Sequence, residues 1–513
     1  MGIELHRMAL VAACAMAVGC TQQATHMTSP DPSTPVETAR TETGASDFSL
    51  PADPSPSEDP APALVRRQQP TEWPIDIDPE RSYTLAELID IAQRTKPATR
   101  AAWLRAREAA LSVDVVESTY LPQLSANVLA GGARMSQFES DIPELGIGSG
   151  TLTATGYQVV PSLAVEWLLF DFGRRDAAME IAEQTAIASN IAFHGTHQRV
   201  IFEVSQAYFQ FSAARAETHI DQERLEDART LLRVAEGRLE EGLAINVEVA
   251  QARQIEARAQ FDLTVAERRE ERTRSALMHA MGLSSTTPIR VADLTDRQLP
   301  AEVPIPLDEL IEVSLTRRPD IRTALARVRA TRSEVDLVAA ESRPRIAAVA
   351  EVGRVMGRFN LSDSRFGGQA SMNRAYDEGV AGILFTMPLF DGGRRRTREA
   401  QARLQAEAAE EDLVEIRNVA AQEIVDAYSL LHSSLAAYTA SGPLLDAGQE
   451  TYETALGLYE NGLTTLAEVS QSKIALNDAR LLREQAFADT FAAATALAFA
   501  TGQLTNRDVP AEF

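Results

Sequence analysis

The chain is written twice. "LAELIDIAQRTKPATR" from Leu85 matches "LDELIEVSLTRRPDIR" from Leu307, so that Leu85, Glu87, Leu88, Ile89, Pro97 and Arg100 recur as Leu307, Glu309, Leu310, Ile311, Pro319 and Arg322. Pro122 recurs as Pro344 and Gly131 as Gly353. "LLFDFGRR" from Leu168 matches "PLFDGGRR" from Pro388, and "GRLEEGLAINVEVAQARQIE" from Gly237 matches "GLYENGLTTLAEVSQSKIAL" from Gly457. The offset stays near 220 residues throughout. A constant offset over this length marks copying of a whole structural unit. Residues 81–305 read as the first repeat and 306–505 as the second, followed by a short tail, 506–513.

Each half predicts helix, strand, loop, strand, very long helix, turn, helix. Thr84 to Ser118 reads as helical. "LPQLSANVLA" then alternates, with Leu124, Ala126, Val128 and Ala130 on one face and Gln123, Ser125 and Asn127 on the other. That is strand periodicity. A Gly/Ser/Thr-rich loop is expected over about Ser136 to Thr155, and a second strand from about Tyr157 to Phe170. Asp171 and Gly173 end it, as do Asp391 and Gly393 in the copy: Asp is a good helix N-cap and Gly permits a sharp turn.

Arg174 to Glu241 contains no proline. Val200, Val204, Ala207, Phe211 and Ala214 step by four and three, and Leu225, Ala228, Leu232, Ala235 and Leu239 resume the frame. This is a coiled-coil seam on a helix roughly 100 Å long. The copy, Arg394 to Asn461, holds Pro443, which should kink the helix or restart it. The helices Asn246 to Met281 and Leu307 to Ala340 are each expected to span roughly 50 Å. Laid end to end they match one long helix, with Gly282 to Pro306 as the junction between them. Such helices bury their seam only against neighbours.

Four alternating strands cannot close on themselves, since the smallest membrane barrels have about eight. Three copies would give twelve. No run of about 20 apolar residues appears after the N-terminus, so a membrane-crossing part would have to be a barrel.

The N-terminus explains both cysteines. "MGIELHRMALVAACAMAVGC" places Arg7 before an apolar run and small residues before Cys20, the pattern of a secretory signal over 1–20. Ala17-Val18-Gly19-Cys20 resembles a lipobox, which would make Cys20 the acylated (palmitate-bearing) first residue of the mature protein. Thr21 follows, with no Asp to hold the protein at the inner membrane, so the expected address is the outer membrane. Residues 21–80, rich in Pro, Ser and Thr, should form a disordered tether. A net charge of −24 argues against nucleic acid as a partner.

Together these features resemble the TolC-like outer-membrane efflux channels. The residues that carry the likeness are the paired "LLFDFGRR" and "PLFDGGRR" junctions, the paired Thr-Lys-Pro and Arg-Arg-Pro first helices and the paired Gly-Leu hairpins, over roughly Arg81 to Thr505. The fold implied is mainly α with a small antiparallel β part: a duplicated coiled-coil α-barrel, plus a trimeric transmembrane β-barrel with four strands per chain. The implied role is a passive conduit, lipid-anchored in the outer membrane with its helices in the periplasm. As a homotrimer it would meet a periplasmic adaptor protein and an inner-membrane pump, of the resistance-nodulation-division type in the favoured reading. No cofactor is implied. A protein-secretion channel is the alternative, and a non-conducting coiled-coil scaffold a further one.

The resemblance also assigns residues. Gly242, Leu243, Gly462 and Leu463 would lie at the hairpin ends that face the adaptor. A gate tyrosine falls on Tyr459 and an acidic constriction residue on Glu468. The position of a clamping arginine holds Thr464, the second acidic position holds Gln471, and Glu248 stands where an acidic partner is expected. The arginine clamp is therefore expected to be missing.

No nucleophile elbow, phosphate-cradling loop or metalloprotease motif occurs, so enzyme activity is not expected. His194 and His197 lie near one helix face and His219 lies further along, but a metal needs three or four convergent ligands, and exposed helix histidines are the plainer reading. Arg174, Arg175, Arg394, Arg395 and Arg396 open the long helices, where cations oppose the helix dipole. Lipid phosphates could offset that. Trp167, Phe170, Phe172 and Phe390 could form an aromatic girdle, with core packing as the alternative.

Overall fold

The computed structural model describes residues 31–33, 77–139, 150–242, 245–294, 299, 306–363 and 369–504. Cys20, Leu243, the tail and nearly all of the tether lie outside them. In chain order the elements are β1 (Ser82–Tyr83), α1 (Leu85–Thr95), α2 (Pro97–Glu117), β2 (Gln123–Glu139), β3 (Gly150–Phe170), α3 (Arg174–Glu240) and α4 (Asn246–Ala280). There follow β4 (Arg290–Val291), α5 (Leu307–Arg317), α6 (Pro319–Ala340), β5 (Arg345–Asp363), β6 (Gln369–Thr386), α7 (Arg394–Glu460) and α8 (Leu466–Ala500). The long helices α3 and α7 have 67 residues each, and α4 and α8 have 35 each, so the copied helices keep their lengths. Two compact units form, and each draws on both halves.

The first unit, Glu108–Ala186 with Ala326–Glu410, contains a four-stranded antiparallel sheet ordered β2-β3-β5-β6. Register sorts its side chains. Leu124, Leu163, Val165, Trp167, Val352, Ile383 and Phe385 share one face; Gln123, Ser125, Asn127, Ser162, Glu166, Glu351 and Glu378 share the other. Arg354 and Asp377 interrupt the apolar face, but as cross-strand partners 3.7 Å apart. The strands are longer than expected. Gly150 to Thr155, read as loop, pairs in register with Arg134 to Glu139. Thr-rich sequence suits a pleated surface, and ladder pairing overrides its turn-like composition.

The second unit takes Ile187–Leu325 and Glu411–Phe513, with residues 77–107 of its N-terminal segment. Its core joins Leu88 and Ile89 of α1, Val200, Ile201 and Val204 of α3, Leu277 and Met278 of α4, and Phe487 and Phe491 of α8. Seam residues Val200, Val204, Ala207, Phe211, Ala214, Leu225, Ala228 and Ala235 are all buried.

Two expected single helices are each divided. Lys96 (ψ 121°) and Arg318 (ψ 129°) adopt extended backbone, because the residue before a proline is pushed out of the helical region. Each break is packed against a helix-ending glycine: a Cβ at Gly282 would sit 3.0 Å from Lys96 Cα, and one at Gly502 3.1 Å from Arg318 Cα. Lys96 pairs with Glu203, and Arg318 with Glu423 at 2.5 Å, so the arrangement is built twice. The parallel pair β1–β4 was not expected; it ties Ser82–Tyr83 to Arg290–Val291 inside the segment read as a junction. Pro443 does not restart α7, which runs through it.

Candidate functional site: the paired hairpins and strand–helix junctions

In the second unit, α3–α4 and α7–α8 each reverse through a glycine in the left-handed region, Gly242 (φ 73°) and Gly462 (φ 74°). Open space surrounds both, so backbone conformation and not room selects glycine. Gly462 N–H donates to Tyr459 O at 2.9 Å and Leu463 N–H to Leu458 O at 2.9 Å, closing the last turn. The entries to the next helix differ. Thr465 caps α8 by accepting from Glu468 N–H, whereas Ile245 gives α4 no side-chain cap.

The hairpins share a core of Ala235, Val249, Ala252, Tyr459, Leu466 and Val469. Of the predicted site residues, Tyr459 belongs to this core. Tyr459 is 4 % exposed, and its hydroxyl has no hydrogen-bond partner. Burial pushes its pKa up; Arg238 pulls it down and Glu248 pushes it up again. Thr464 donates to the exposed Glu468 carboxylate. Gln471 is exposed on α8 with no partner role in this cluster.

Position 464 is a threonine, and a different arginine meets the tyrosine. Arg238, from the end of α3, lies over the Tyr459 ring with Cζ 4.8 Å from its centroid. Sequence reading missed it because the arginine comes from the other half. Lys473 of α8 adds a second cross-tie, 2.7 Å from Asp227 of α3.

In the first unit, strands pass into long helices through Asp171-Phe172-Gly173 and Asp391-Gly392-Gly393. The two residues after each aspartate have positive φ: 55° and 94°, then 70° and 91°. Phe172 is the one non-glycine in that region among the described residues. Asp171 Oδ2 accepts from Arg175 N–H at 3.0 Å and from its Nε at 3.1 Å; Asp391 Oδ2 accepts from Arg395 N–H at 3.0 Å and its Nε at 2.8 Å. Arg175 also donates to Leu168 O at 2.9 Å, and Arg395 to Pro388 O at 3.0 Å. Desolvation opposes it, but the Arg395 hydrogen bonds hold the Asp391 carboxyl below the usual range. Thus each long helix begins with an aspartate four residues before its arginine, and Arg175 and Arg395 are engaged within the junctions.

Trp167, Phe170, Phe172 and Phe390 are 44, 64, 49 and 91 % exposed, so none is packed in the core of this chain. His197, by contrast, is buried at 2 % and not an exposed helix histidine. Among the described residues no three His, Cys, Asp or Glu side chains are grouped to hold a metal, and no helix is long and apolar enough to cross a membrane.

A sheet with one apolar face, set in a chain of paired long helices, defines the outer-membrane channel class. The outer membrane efflux protein family matches residues 88–283 and 310–503, and the chain belongs to that family. It is an outer-membrane channel of a bacterial efflux or secretion system and not an enzyme. It is 26 % identical over 441 residues to protein CyaE of Bordetella pertussis, covering 84 % of this chain and 87 % of that one. It is 26 % identical over 348 residues to the pyoverdine export outer membrane protein OpmQ of Pseudomonas putida, covering 67 and 68 %. The crystal structure of the Campylobacter jejuni CmeC outer membrane channel superposes with a TM-score of 0.67 at 18 % identity, covering 82 % of this chain and 85 % of that one.

Proposed function

We propose that three copies close their sheets into one twelve-stranded barrel and serve as the passive outer-membrane conduit of a tripartite efflux system for small molecules. The observation that carries this is the open sheet. Strands β2 and β6, of 17 and 18 residues, each have one neighbour only among the described strands. A long unpaired edge beside an apolar face is untenable in lipid, where every backbone polar group must be paired. Pairing β2 of one copy with β6 of the next satisfies both edges. The named cargo of the Pseudomonas putida relative, pyoverdine, supports small molecules as cargo.

In this reading the hairpins meet a periplasmic adaptor through Gly242, Leu243, Gly462 and Leu463, and an inner-membrane pump of the resistance-nodulation-division kind supplies the energy. Tyr459, Glu248, Thr464, Glu468 and Gln471 line the closed entrance. Cys20 carries the lipid anchor. The full chain, purified in detergent, should have the mass of a trimer by light scattering and conduct ions in planar bilayers once open. A stable monomer that needs no detergent would overturn the proposal.

A further inference from the structure

A cavity of about 470 Å³ lies between the two strand–helix junctions of the sheet unit. Six arginines line it, Arg174, Arg343, Arg345, Arg394, Arg395 and Arg398, against four carboxylates, Glu166, Asp171, Glu341 and Asp391. Three of those carboxylates are engaged: Asp171 by Arg175, Asp391 by Arg395 and Glu341 by Arg398 at 3.4 Å. Arg343 donates to Phe172 O at 2.6 Å. Arg174, Arg345 and Arg394 have no ion pair among the described residues, and Glu166 offers one carboxylate against the three.

Register says which way the cavity opens. Gln123, Glu166, Leu168, Ala347, Leu384 and Thr386 line it, and all lie on the polar face of the sheet, opposite Trp167, Ile383 and Phe385. Unpaired guanidiniums in a cavity match the fork geometry of phosphate oxygens.

We propose that this cavity binds a phosphate-type oxyanion through Arg174, Arg345 and Arg394. The same chemistry is carried by free phosphate esters passing along the polar face and by the headgroup of a phospholipid. The site needs the sheet unit only, so it can stand or fall apart from the conduit reading.

The test uses the full chain in detergent at low ionic strength, titrated with inorganic phosphate by calorimetry. Wild type should bind saturably, with chloride a weak competitor. Arg174→Gln with Arg394→Gln should weaken binding about tenfold or more. Arg174→Lys with Arg394→Lys should keep part of it, and Arg332→Gln, outside the cavity, should change nothing. Wild type and the double Gln variant are also compared by native mass spectrometry. A phospholipid retained by the first and lost from the second supports the site and identifies its source as lipid; binding of added phosphate without retained lipid identifies a soluble source. Where the double variant fails to assemble, each single Gln variant is titrated instead, with a loss of about threefold expected. Phosphate affinity equal in wild type and assembled variants, or no saturable binding together with no retained lipid, overturns the proposal.

Discussion

Arg238 lies over the ring of Tyr459, joining the end of the first long helix to the end of its copy, with the guanidinium carbon 4.8 Å from the ring centroid. The phenol hydroxyl beneath it is buried without a hydrogen-bond partner. The ring and not the hydroxyl therefore holds the contact. Tyr459→Phe should leave stability within about 1 kcal/mol of wild type, because an unmade hydrogen bond is removed. Arg238→Ala should destabilise the hairpins by about 1–2 kcal/mol and raise amide exchange in residues 455–470. Equal damage from both substitutions would show that the hydroxyl has a partner in the assembled trimer.

Glu468 tests the proposed entrance. Carboxylates gathered on a threefold axis repel one another and attract cations. Glu468→Gln should lower cation selectivity and weaken block by multivalent cations in single-channel recordings. Thr464→Val, which removes the hydroxyl donated to that carboxylate, should shift selectivity less. Unchanged ion selectivity in the Gln variant would leave Glu468 a solvated hairpin residue.

Phe172 adopts φ 55° where the copy has Gly392 at φ 70°. A side chain in the left-handed region costs roughly 1 kcal/mol. Phe172→Gly should recover about that much in thermal stability of the detergent-solubilised protein. Because the ring is 49 % exposed, little packing is lost. A marked drop in stability would show that the aromatic ring is anchored elsewhere, at the lipid boundary or on a neighbouring copy.

His197 should make stability depend on pH. Burial, then the neighbouring His194, lower its pKa to about 4, with Pro32 and Asp31 pulling the other way. His194 is itself lowered, by burial and by Arg322. The unfolded chain binds the proton first as pH falls. The contribution is therefore complete above about pH 6.5, declines from there to pH 4 and is gone below, roughly 3 kcal/mol in all. Replacing His197 by Gln should flatten the difference in melting temperature between pH 7.5 and pH 4.5 relative to wild type.

The buried break at Arg318 supplies a stability test. Its Nη1 donates to Ala500 O at 2.8 Å, and its Nη2 to Glu423 and Asp320 at 2.5 and 2.7 Å. Glu423 is half exposed, so Glu423→Gln should cost about 1 kcal/mol or less. Arg318→Ala strands a buried carbonyl and should cost about 3 kcal/mol. Chemical denaturation in detergent would rank the two.

Features carried by local pattern were legible in the sequence. The Val200–Ala214 seam has helical spacing, and Asp171 and Gly173 mark the end of the strand; the Asp171–Arg175 contact, although the two stand four apart, was not read from the sequence. The helix breaks at Lys96 and Arg318 were also announced, by Pro97 and Pro319, yet continuous apolar periodicity pointed to single helices. Other features had no local signal. Strands β1 and β4 are two residues each and exist only because they pair across the chain. Arg238 and Tyr459 are more than two hundred residues apart, and neither has a flanking motif that names the other. His197 sits on a face whose burial depends on Phe193, 4.7 Å away edge to ring, and on tertiary packing.

The open edges of β2 and β6 have a genetic consequence. In a closed trimer each seam joins one copy's β2 to the next copy's β6, so a single chain with a spoiled edge breaks the ring it enters. A proline in mid-β6 at a position whose N–H points away from β5 would remove a ladder hydrogen bond that only a neighbour can complete. Such an allele should be dominant. Expressed in equal amount with wild type, and with assembly blind to the difference, it would leave roughly one ring in eight intact.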